Sequence, residues 1–130
     1  KKQRGWKDYK RISRNNNCEK MTTEDLLKYC NDKSLWDGDD IQHKTIDDYP
    51  MICIPGIGIV LSPSSYFHVA VNQEYKRKGY GTKLVNSISE FGYKWAHTSY
   101  EEEWVKEWLK RMGFHHDINR KEMRKDFKVQ

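Results

Sequence analysis

Two stretches in the second half of the chain place apolar residues at helical spacing. In the first, Leu84, Val85, Ile88 and Phe91 recur at i, i+1, i+4 and i+7. This is the stripe of a helix that packs one face on a sheet. We therefore predict a helix over residues 79–92.

The second stripe predicts a helix over residues 100–112. Its apolar members are Trp104, Val105, Trp108, Leu109 and Met112. Gly113 follows, and glycine commonly ends a helix because it adopts left-handed backbone angles. Ser99 and Glu102 have the spacing of a capping box at the start of the helix. Trp104 and Trp108 are expected to be buried against the sheet.

Short runs rich in β-branched and aromatic residues predict the strands. Residues 51–54 and 57–61 flank Pro55-Gly56, which is typical of a β-hairpin. A further strand is expected immediately before the helix over 79–92. That strand covers residues 66–71. The other short strands are predicted at 7–12, 95–98, 114–118 and 122–127.

The early part of the chain favours helices. Thr22 and Asp25 resemble a capping box, and Leu26 and Cys30 follow at helical spacing. A second short helix is predicted over residues 41–49. The order of elements indicates an α/β fold in a single domain of 130 residues, with helices flanking a mixed, mostly antiparallel sheet.

Charge is unevenly distributed around a net value of +5. Residues 1–20 carry eight Lys or Arg against two Asp or Glu, and residues 21–50 carry three against eight. A basic arm can bind nucleic acid weakly through phosphates, and Trp6 and Tyr9 offer rings for bases to stack on. The alternative is a solvated terminus, and the sequence leaves both interpretations open.

Cysteine usage and hydropathy bear on the compartment. The chain has three cysteines, an odd number, and lacks a Cys-x-x-Cys pair. Reduced thiols in the cytoplasm are therefore favoured over a disulfide framework or a metal site. No apolar run approaches the roughly 20 residues that span a bilayer, and no signal peptide is visible.

A basic, glycine-containing turn separates the strand over 66–71 from the helix that follows. It contains Lys76-Arg77-Lys78, then Gly79 and Gly81. The first amides of a helix lack intrahelical acceptors and attract anions, and glycine lets a ligand approach the backbone. The turn therefore predicts a phosphate site. Its spacing matches neither the P-loop nor the dinucleotide fingerprint. Alternatively, the glycines serve only to reverse the chain.

The pattern Lys76-x-x-Gly79-x-Gly81 resembles the acyl-CoA pyrophosphate loop of the GNAT superfamily of N-acetyltransferases. That family has Gln or Arg, then x-x-Gly-x-Gly or Ala, after a strand that ends in valine. Here Val71 ends the strand and Lys76 replaces the Gln or Arg.

A second part of the resemblance lies at Gly113-Phe114, which follows the predicted last helix as in the family's Tyr-x-x-x-Gly-Phe pattern. Leu109 occupies the tyrosine position. The resemblance covers residues from about 51 to 127. It implies a GNAT-like sheet with a central pair of strands that splay apart.

The resemblance also implies acetyl-CoA, or another short acyl-CoA, as the acyl donor. The backbones of Val69, Ala70 and Val71 would contact the pantetheine arm and the acyl carbonyl. The pyrophosphate would be bound or attracted by Lys76, Arg77, Lys78, Gly79, Tyr80, Gly81 and Thr82. The implied reaction is transfer of an acetyl group to a primary amine of a small molecule or protein, by direct attack in a ternary complex.

Candidate catalytic side chains are His68, His97 and Ser99. The position that often carries the base in the family falls at Ser65 or Phe67, and neither is a good base. Histidine has an unperturbed pKa of about 6.5, which suits proton transfer. Strand alternation, however, puts His68 on the face opposite Phe67.

Two alternatives to an amine acetyltransferase remain. Because Leu109 cannot donate a proton, the fold could be degenerate and serve to bind a protein or nucleic acid. A thiol with a pKa near 8.5 nevertheless leaves tolerably without an acid. The acidic region 21–50 would attract a cationic amine, or it is simply solvated. A nucleic-acid acceptor would instead require residues 1–20 at the same site.

Overall fold

The computed structural model describes residues 21–63, 66–117 and 122–127. These residues form an α/β fold with three helices and two antiparallel sheets. The helices are α1 (Thr23–Asn31), α2 (Tyr80–Glu90) and α3 (Glu103–Arg111). The strands are β1 (Gln42–Ile46), β2 (Tyr49–Ile54), β3 (Gly58–Leu61), β4 (His68–Val71), β5 (Trp95–Ser99), β6 (His115–Asp117) and β7 (Glu122–Asp126). The strand predicted at 7–12 lies outside the described residues.

The hairpin of β1 and β2 occupies a segment for which the sequence predicts a helix. The prediction of a helix over 41–49 is wrong. Half-buried and exposed residues alternate along β1, which is the two-residue period of a strand. Asp47 and Asp48 both have positive φ, 54° and 67°, as a tight hairpin turn requires, and Ile46 pairs with Tyr49 across it.

The larger sheet has the order β1-β2-β3-β4, with α1 packed on one face. Buried Leu26 and Cys30 of α1 lie against Cys53 and other residues of the strands. The capping box predicted at the start of α1 is confirmed. The Thr22 hydroxyl accepts from the amide of Asp25 at 3.0 Å, and the Asp25 carboxylate accepts from the amide of Thr22 at 3.4 Å.

Helix α2 covers the opposite face of the same sheet. Its buried residues Leu84, Val85 and Ile88 join the main core, so the helix predicted over 79–92 is confirmed. Gly58 of β3 permits a close approach. A Cβ atom there would lie 2.7 Å from Leu84 Cδ1 and 3.1 Å from the Ala70 carbonyl oxygen.

The second sheet has the order β5-β7-β6 and is covered by α3. The predicted strands over 95–98, 114–118 and 122–127 correspond to these three strands. Leu109 is fully buried in the core. The prediction of burial is wrong for Trp104, which is 65% exposed, while Trp108 is half-buried. Trp104 lies in the first turn of α3, where the next residue, Val105, packs against the core instead.

The predicted capping box at Ser99 is also wrong. Ser99 is the last residue of β5 and pairs with Glu122, and its hydroxyl is hydrogen-bonded to the Tyr66 hydroxyl. Helix α3 begins at Glu103 after Glu102. Among the described residues, no side chain caps it.

The two sheets meet where β4 approaches β5. Tyr66 and His97 form an isolated parallel bridge, and the amide of Phe67 donates to the His97 carbonyl at 2.9 Å. The Thr98 hydroxyl donates to the carbonyl of Phe67 at 2.8 Å. Beyond these contacts the strands belong to separate sheets. The sequence predicts one sheet, and the described chain forms two that touch at this bridge.

Candidate functional site

The candidate phosphate loop connects β4 to α2 and begins at Asn72. The amide of Asn72 donates to the Ile57 carbonyl at 2.9 Å, which extends the contact between β4 and the β2–β3 hairpin. A 3-10 helix, Gln73–Tyr75, follows. The start of the loop is therefore held on the sheet, and the residues after it turn outward.

The Asn72 side chain links three segments. Its Nδ2 donates to the Gly56 carbonyl at 2.9 Å and to the Asn31 side-chain oxygen at 2.7 Å. Asn31 is the last residue of α1, and Gly56 lies in the β2–β3 turn. The sequence analysis missed this residue, and an asparagine directly after a strand is the signal that could have indicated a turn-fixing role.

The backbone reverses between Lys76 and α2 by means of two left-handed residues. Arg77 has φ 65°, and Gly79 has φ 90° and ψ 0° as the N-cap. The first hydrogen bond of the helix runs from the amide of Lys83 to the Gly79 carbonyl at 3.0 Å. The amides of residues 80–82 precede that bond, as the first amides of any helix do, and can donate to an anion.

Positive charge surrounds this helix end. Lys76, Arg77 and Lys78 are all exposed, at a point where the helix dipole already favours an anion. Tyr75 and Tyr80 pack edge to face, with ring centroids 5.7 Å apart, and bracket the three cations. The described residues thus combine backbone donors and cations without an acidic side chain between residues 75 and 82.

The two glycines of the loop have different surroundings. No described atom lies within 4 Å of the position that a Cβ would take at Gly79. At Gly81 a Cβ would lie 3.3 Å from Cζ2 of Trp108 and 3.9 Å from a methyl carbon of Val71. At Gly81 the close approach of Trp108 is thus a second reason for glycine, beside the predicted access of a phosphate to the backbone.

The cofactor residues predicted on β4 line an edge of the larger sheet. Val69, Ala70 and Val71 pair with β3 on one side. Along the other edge of β4, no described strand forms a ladder of hydrogen bonds with it beyond the bridge at Tyr66. Val69 and Val71 pack toward the α2 core, whereas Ala70 is buried against the α1 side. The backbone groups on that edge of β4 are thus not used in a strand ladder of the described residues.

His68 lies apart from the other two catalytic candidates. It shares the face of β4 that carries Ala70, and its Nε2 lies 3.2 Å from the hydroxyl of Thr23 at the start of α1. The expected orientation, opposite to Phe67, is confirmed, since Phe67 is in the α2 core. Burial lowers the pKa of His68, so the ring is neutral at pH 7 and can accept a proton.

His97 and Ser99 are brought together by Tyr66, a residue that sequence reasoning missed. The rings of Tyr66 and His97 meet edge to face at 5.6 Å, and the Tyr66 hydroxyl is hydrogen-bonded to Ser99. The His97 ring also stacks on Trp95 at 5.5 Å. The hydroxyls of Tyr66 and Ser99 and the imidazole of His97 lie at the Tyr66–His97 bridge, beyond which the described residues of β4 and β5 form no ladder. No local sequence signal pairs Tyr66 with residues about thirty positions later.

The described residues limit other kinds of site. Within them, no group of three or more His, Cys, Asp or Glu side chains is placed to hold a metal ion. Nor is any helix in the described ranges both long and apolar enough to cross a bilayer. Ser65 and residues 1–20, which figure in the sequence predictions, lie outside the described part of the chain.

Comparisons of the chain with models of protein families, with curated proteins and with solved structures found no match. Functional inference for this chain therefore rests on its own residues and geometry.

Proposed function

We propose that the protein is an acyl-CoA-dependent N-acyltransferase that transfers an acetyl group from acetyl-CoA to a primary amine. One observation carries this proposal. The cationic loop and the N-terminal amides of α2 lie at the end of β4, and among the described residues β4 and β5 form no ladder beyond the Tyr66–His97 bridge. This arrangement supports the proposal, because a GNAT-like fold would have its pyrophosphate loop at the end of one strand of a pair that splays apart.

The loop suits a pyrophosphate. The amides of residues 77–82 precede or begin the helix, and Lys76, Arg77 and Lys78 supply attraction over a longer range. The open space beside Gly79 admits a ligand to the backbone. The residues present therefore fit the charged part of an acyl-CoA.

The arm of the cofactor would extend along the backbone of Val69, Ala70 and Val71. A bound acyl-CoA supplies an activated acyl group as a thioester. In the transfer, the amine nitrogen forms a bond to the carbonyl carbon while the carbon–sulfur bond breaks. The proton that the amine loses balances the one that the thiolate gains.

Four side chains can handle that proton. Neutral His68 can accept it from the amine on the α1 side of β4. On the β5 side, His97 and the linked hydroxyls of Ser99 and Tyr66 can accept or donate one. Leu109, at the family's usual tyrosine position, is fully buried and apolar, so the proton must come from elsewhere or from water.

Charge reversal in the loop tests the cofactor proposal. We expect the Lys76→Glu/Lys78→Glu variant to lose CoA affinity by at least tenfold in calorimetry at low salt, because two carboxylates would repel the pyrophosphate. The matched control is Lys28→Glu/Lys94→Glu, which makes the same charge change at exposed positions of α1 and of the segment before β5. Wild-type protein without CoA affinity would overturn the proposal, and so would an equal loss in the control.

Thiol release separates an enzyme from a binding module. We expect free CoA to appear when acetyl-CoA is mixed with a panel of primary amines, and the His68→Asn and Ser99→Ala variants to show which group carries the proton. Buried Leu109 favours the second candidate, a catalytically degenerate binding protein. CoA binding without thiol release from any amine would support that candidate.

The acceptor is proposed to be a primary amine of a small molecule or protein. In the acidic region, Asp37 and Asp39 are strongly exposed. The Asp37 carboxylate lies 3.7 Å from Nζ of Lys44, and the Asp39 carboxylate lies 3.4 Å from Nζ of Lys33. Other carboxylates there remain to attract a cation. Deletion of residues 1–20 should leave turnover of amines intact. Loss of nucleic-acid binding together with all turnover would instead favour a nucleic-acid acceptor.

A further inference from the structure

The hydrogen bond between Trp108 and Thr82 can run in one direction only. An indole Nε1–H donates and cannot accept, whereas a threonine hydroxyl has one proton to donate and two lone pairs that accept. Trp108 therefore donates to the Thr82 hydroxyl oxygen, at 3.0 Å, and the hydroxyl keeps its own proton for another acceptor. No group of the described residues accepts that proton.

The two serine hydroxyls of α2 use their protons within the helix. The hydroxyl of Ser87 donates to the Leu84 carbonyl at 2.6 Å, and that of Ser89 donates to the carbonyl three residues before it at 3.3 Å. For Thr82 the corresponding carbonyl is that of Gly79, which accepts the first amide hydrogen bond of the helix instead. The proton of the Thr82 hydroxyl is thus available to a ligand.

The Thr82 hydroxyl lies at the end of α2 that meets the candidate phosphate loop. Thr82 is the third residue of the helix, and because helical side chains lean toward the N-terminus its hydroxyl lies over the first turn. Residues 75–89 contain three cations before the helix and no acidic residue. On α3, the carboxylate of Glu107, next to Trp108, lies 3.9 Å from Nζ of Lys110, which offsets its charge. An anion is therefore the acceptor that these surroundings favour.

We propose that Trp108 is a positioning residue that directs the Thr82 hydroxyl toward a phosphate oxygen of the bound acyl-CoA, an assignment that rests on the proposed function. The indole N–H occupies one lone pair of the hydroxyl oxygen, so it holds the side chain in one orientation and leaves the proton on another side of the oxygen. The indole is itself held against Gly81, where a Cβ would lie 3.3 Å from its Cζ2. Loss of a hydrogen bond to a charged acceptor lowers affinity by about tenfold or more.

Calorimetry with CoA and with inorganic pyrophosphate tests the part of Thr82. We expect Thr82→Val, which keeps the shape of the side chain and removes the proton, to weaken both ligands about tenfold. Thr82→Ser keeps the hydroxyl and should retain most of the affinity. The control is Ser87→Ala, which removes a hydroxyl bonded within the same helix and should leave both affinities unchanged. Urea unfolding verifies that each variant is folded under the conditions of the titration.

The part of Trp108 is tested in two backgrounds. We expect Trp108→Phe to weaken CoA about threefold or more in the wild type, because the hydroxyl is then free to turn away from the phosphate. In Thr82→Val the same substitution should cause no further loss, since no hydroxyl remains to be positioned. An equal loss in both backgrounds would show that the indole acts by packing alone and would overturn the assignment.

The outcomes distinguish this assignment from the proposed function. If the wild type binds CoA and Thr82→Val binds it equally well, the assignment is overturned and the proposed function stands. A loss for CoA without a loss for pyrophosphate would also overturn it, because the hydroxyl would then act on another part of the cofactor. Wild-type protein that binds neither CoA nor pyrophosphate would overturn both.

Discussion

The indole of Trp108 lies over Gly81 and donates its Nε1–H to the hydroxyl of Thr82 at 3.0 Å. This contact joins α3, which covers the second sheet, to the first turn of α2, which covers the first. The candidate phosphate loop therefore ends at a junction between the two halves of the fold.

Removing either partner of that hydrogen bond should lower stability. We expect Thr82→Val to reduce the free energy of unfolding by about 1 kcal/mol, the usual contribution of one such bond. Trp108→Phe should cost at least as much, since it also removes packing atoms. In urea unfolding, the double variant should lose less than the sum of the two single losses. Strictly additive losses would contradict the role given to this bond.

Gly58 is required by the close packing of α2 on β3. A Cβ at this position would lie 2.7 Å from Leu84 Cδ1 and 3.1 Å from the Ala70 carbonyl oxygen, which is backbone and moves little. Gly58→Ala should therefore destabilise the protein by about 1–3 kcal/mol. The cost should be smaller in a Leu84→Ala background, where the closest atom is absent. Denaturant midpoints of the four proteins of this cycle provide the measurement.

Asn72 is expected to stabilise both the fold and the loop. Asn72→Ala removes one hydrogen bond to Gly56 and two to Asn31, and should cost about 2–3 kcal/mol, or about 1 kcal/mol for each bond. Asn31→Ala removes only the two bonds between the asparagines and is the matched control. CoA affinity should fall more in Asn72→Ala than in Asn31→Ala. Equal effects would mean that the bond to Gly56 contributes nothing.

His68 should make stability depend on pH. Burial lowers the pKa of His68 below its value in the unfolded chain, about 6.5. As the pH falls through 6.5, the unfolded chain binds the proton first, so the stability that the neutral ring contributes is complete above this pH and is lost below it. The free energy of unfolding of wild type minus His68→Asn should therefore shrink between pH 7.5 and pH 5.

The control for this measurement is His115→Asn, at an exposed position on β6. A difference for His68→Asn that is constant with pH would contradict the prediction.

Cys30 and Cys53 should react with thiol reagents only after unfolding. Both are fully buried between α1 and β2. A hydrogen bond with the Cys30 thiol, together with burial, raises the pKa of Cys53 and suppresses its thiolate. In a Cys18→Ser background, alkylation should be slow in native buffer and should follow the unfolding curve in urea. Rapid native labelling of either thiol would show that α1 opens independently.

Local pattern in the sequence determined several elements of this fold. The Thr22–Asp25 capping box and the apolar spacing of Leu84 and Ile88 each involve residues within one or two turns. A helix that satisfies its own amides and buries one stripe is specified by such neighbours. The same holds for the loop, because a strand, three cations and a left-handed glycine are consecutive in the chain.

Tertiary structure decided where the candidate chemistry lies. Tyr66 and Ser99 are 33 residues apart and Thr82 and Trp108 are 26 apart, so neither contact has a local signature. Ser99 was expected to cap a helix, yet its hydroxyl is bound to Tyr66 at the bridge between the sheets. The packing of distant strands brings the Tyr66 hydroxyl next to Ser99, and Ser99 therefore bonds to it instead of to an amide of the helix.

The remaining errors have the same origin. Residues 41–49 were expected to be helical, but pairing with β2 and the left-handed pair Asp47 and Asp48 stabilise a hairpin instead. Trp104 has the spacing of a buried residue, but it is 65% exposed in the first turn of α3, whereas its neighbour Val105 packs against the core. Periodicity determines which residues of a helix share a face. How far that face is covered depends on the length and position of the strands against which it packs.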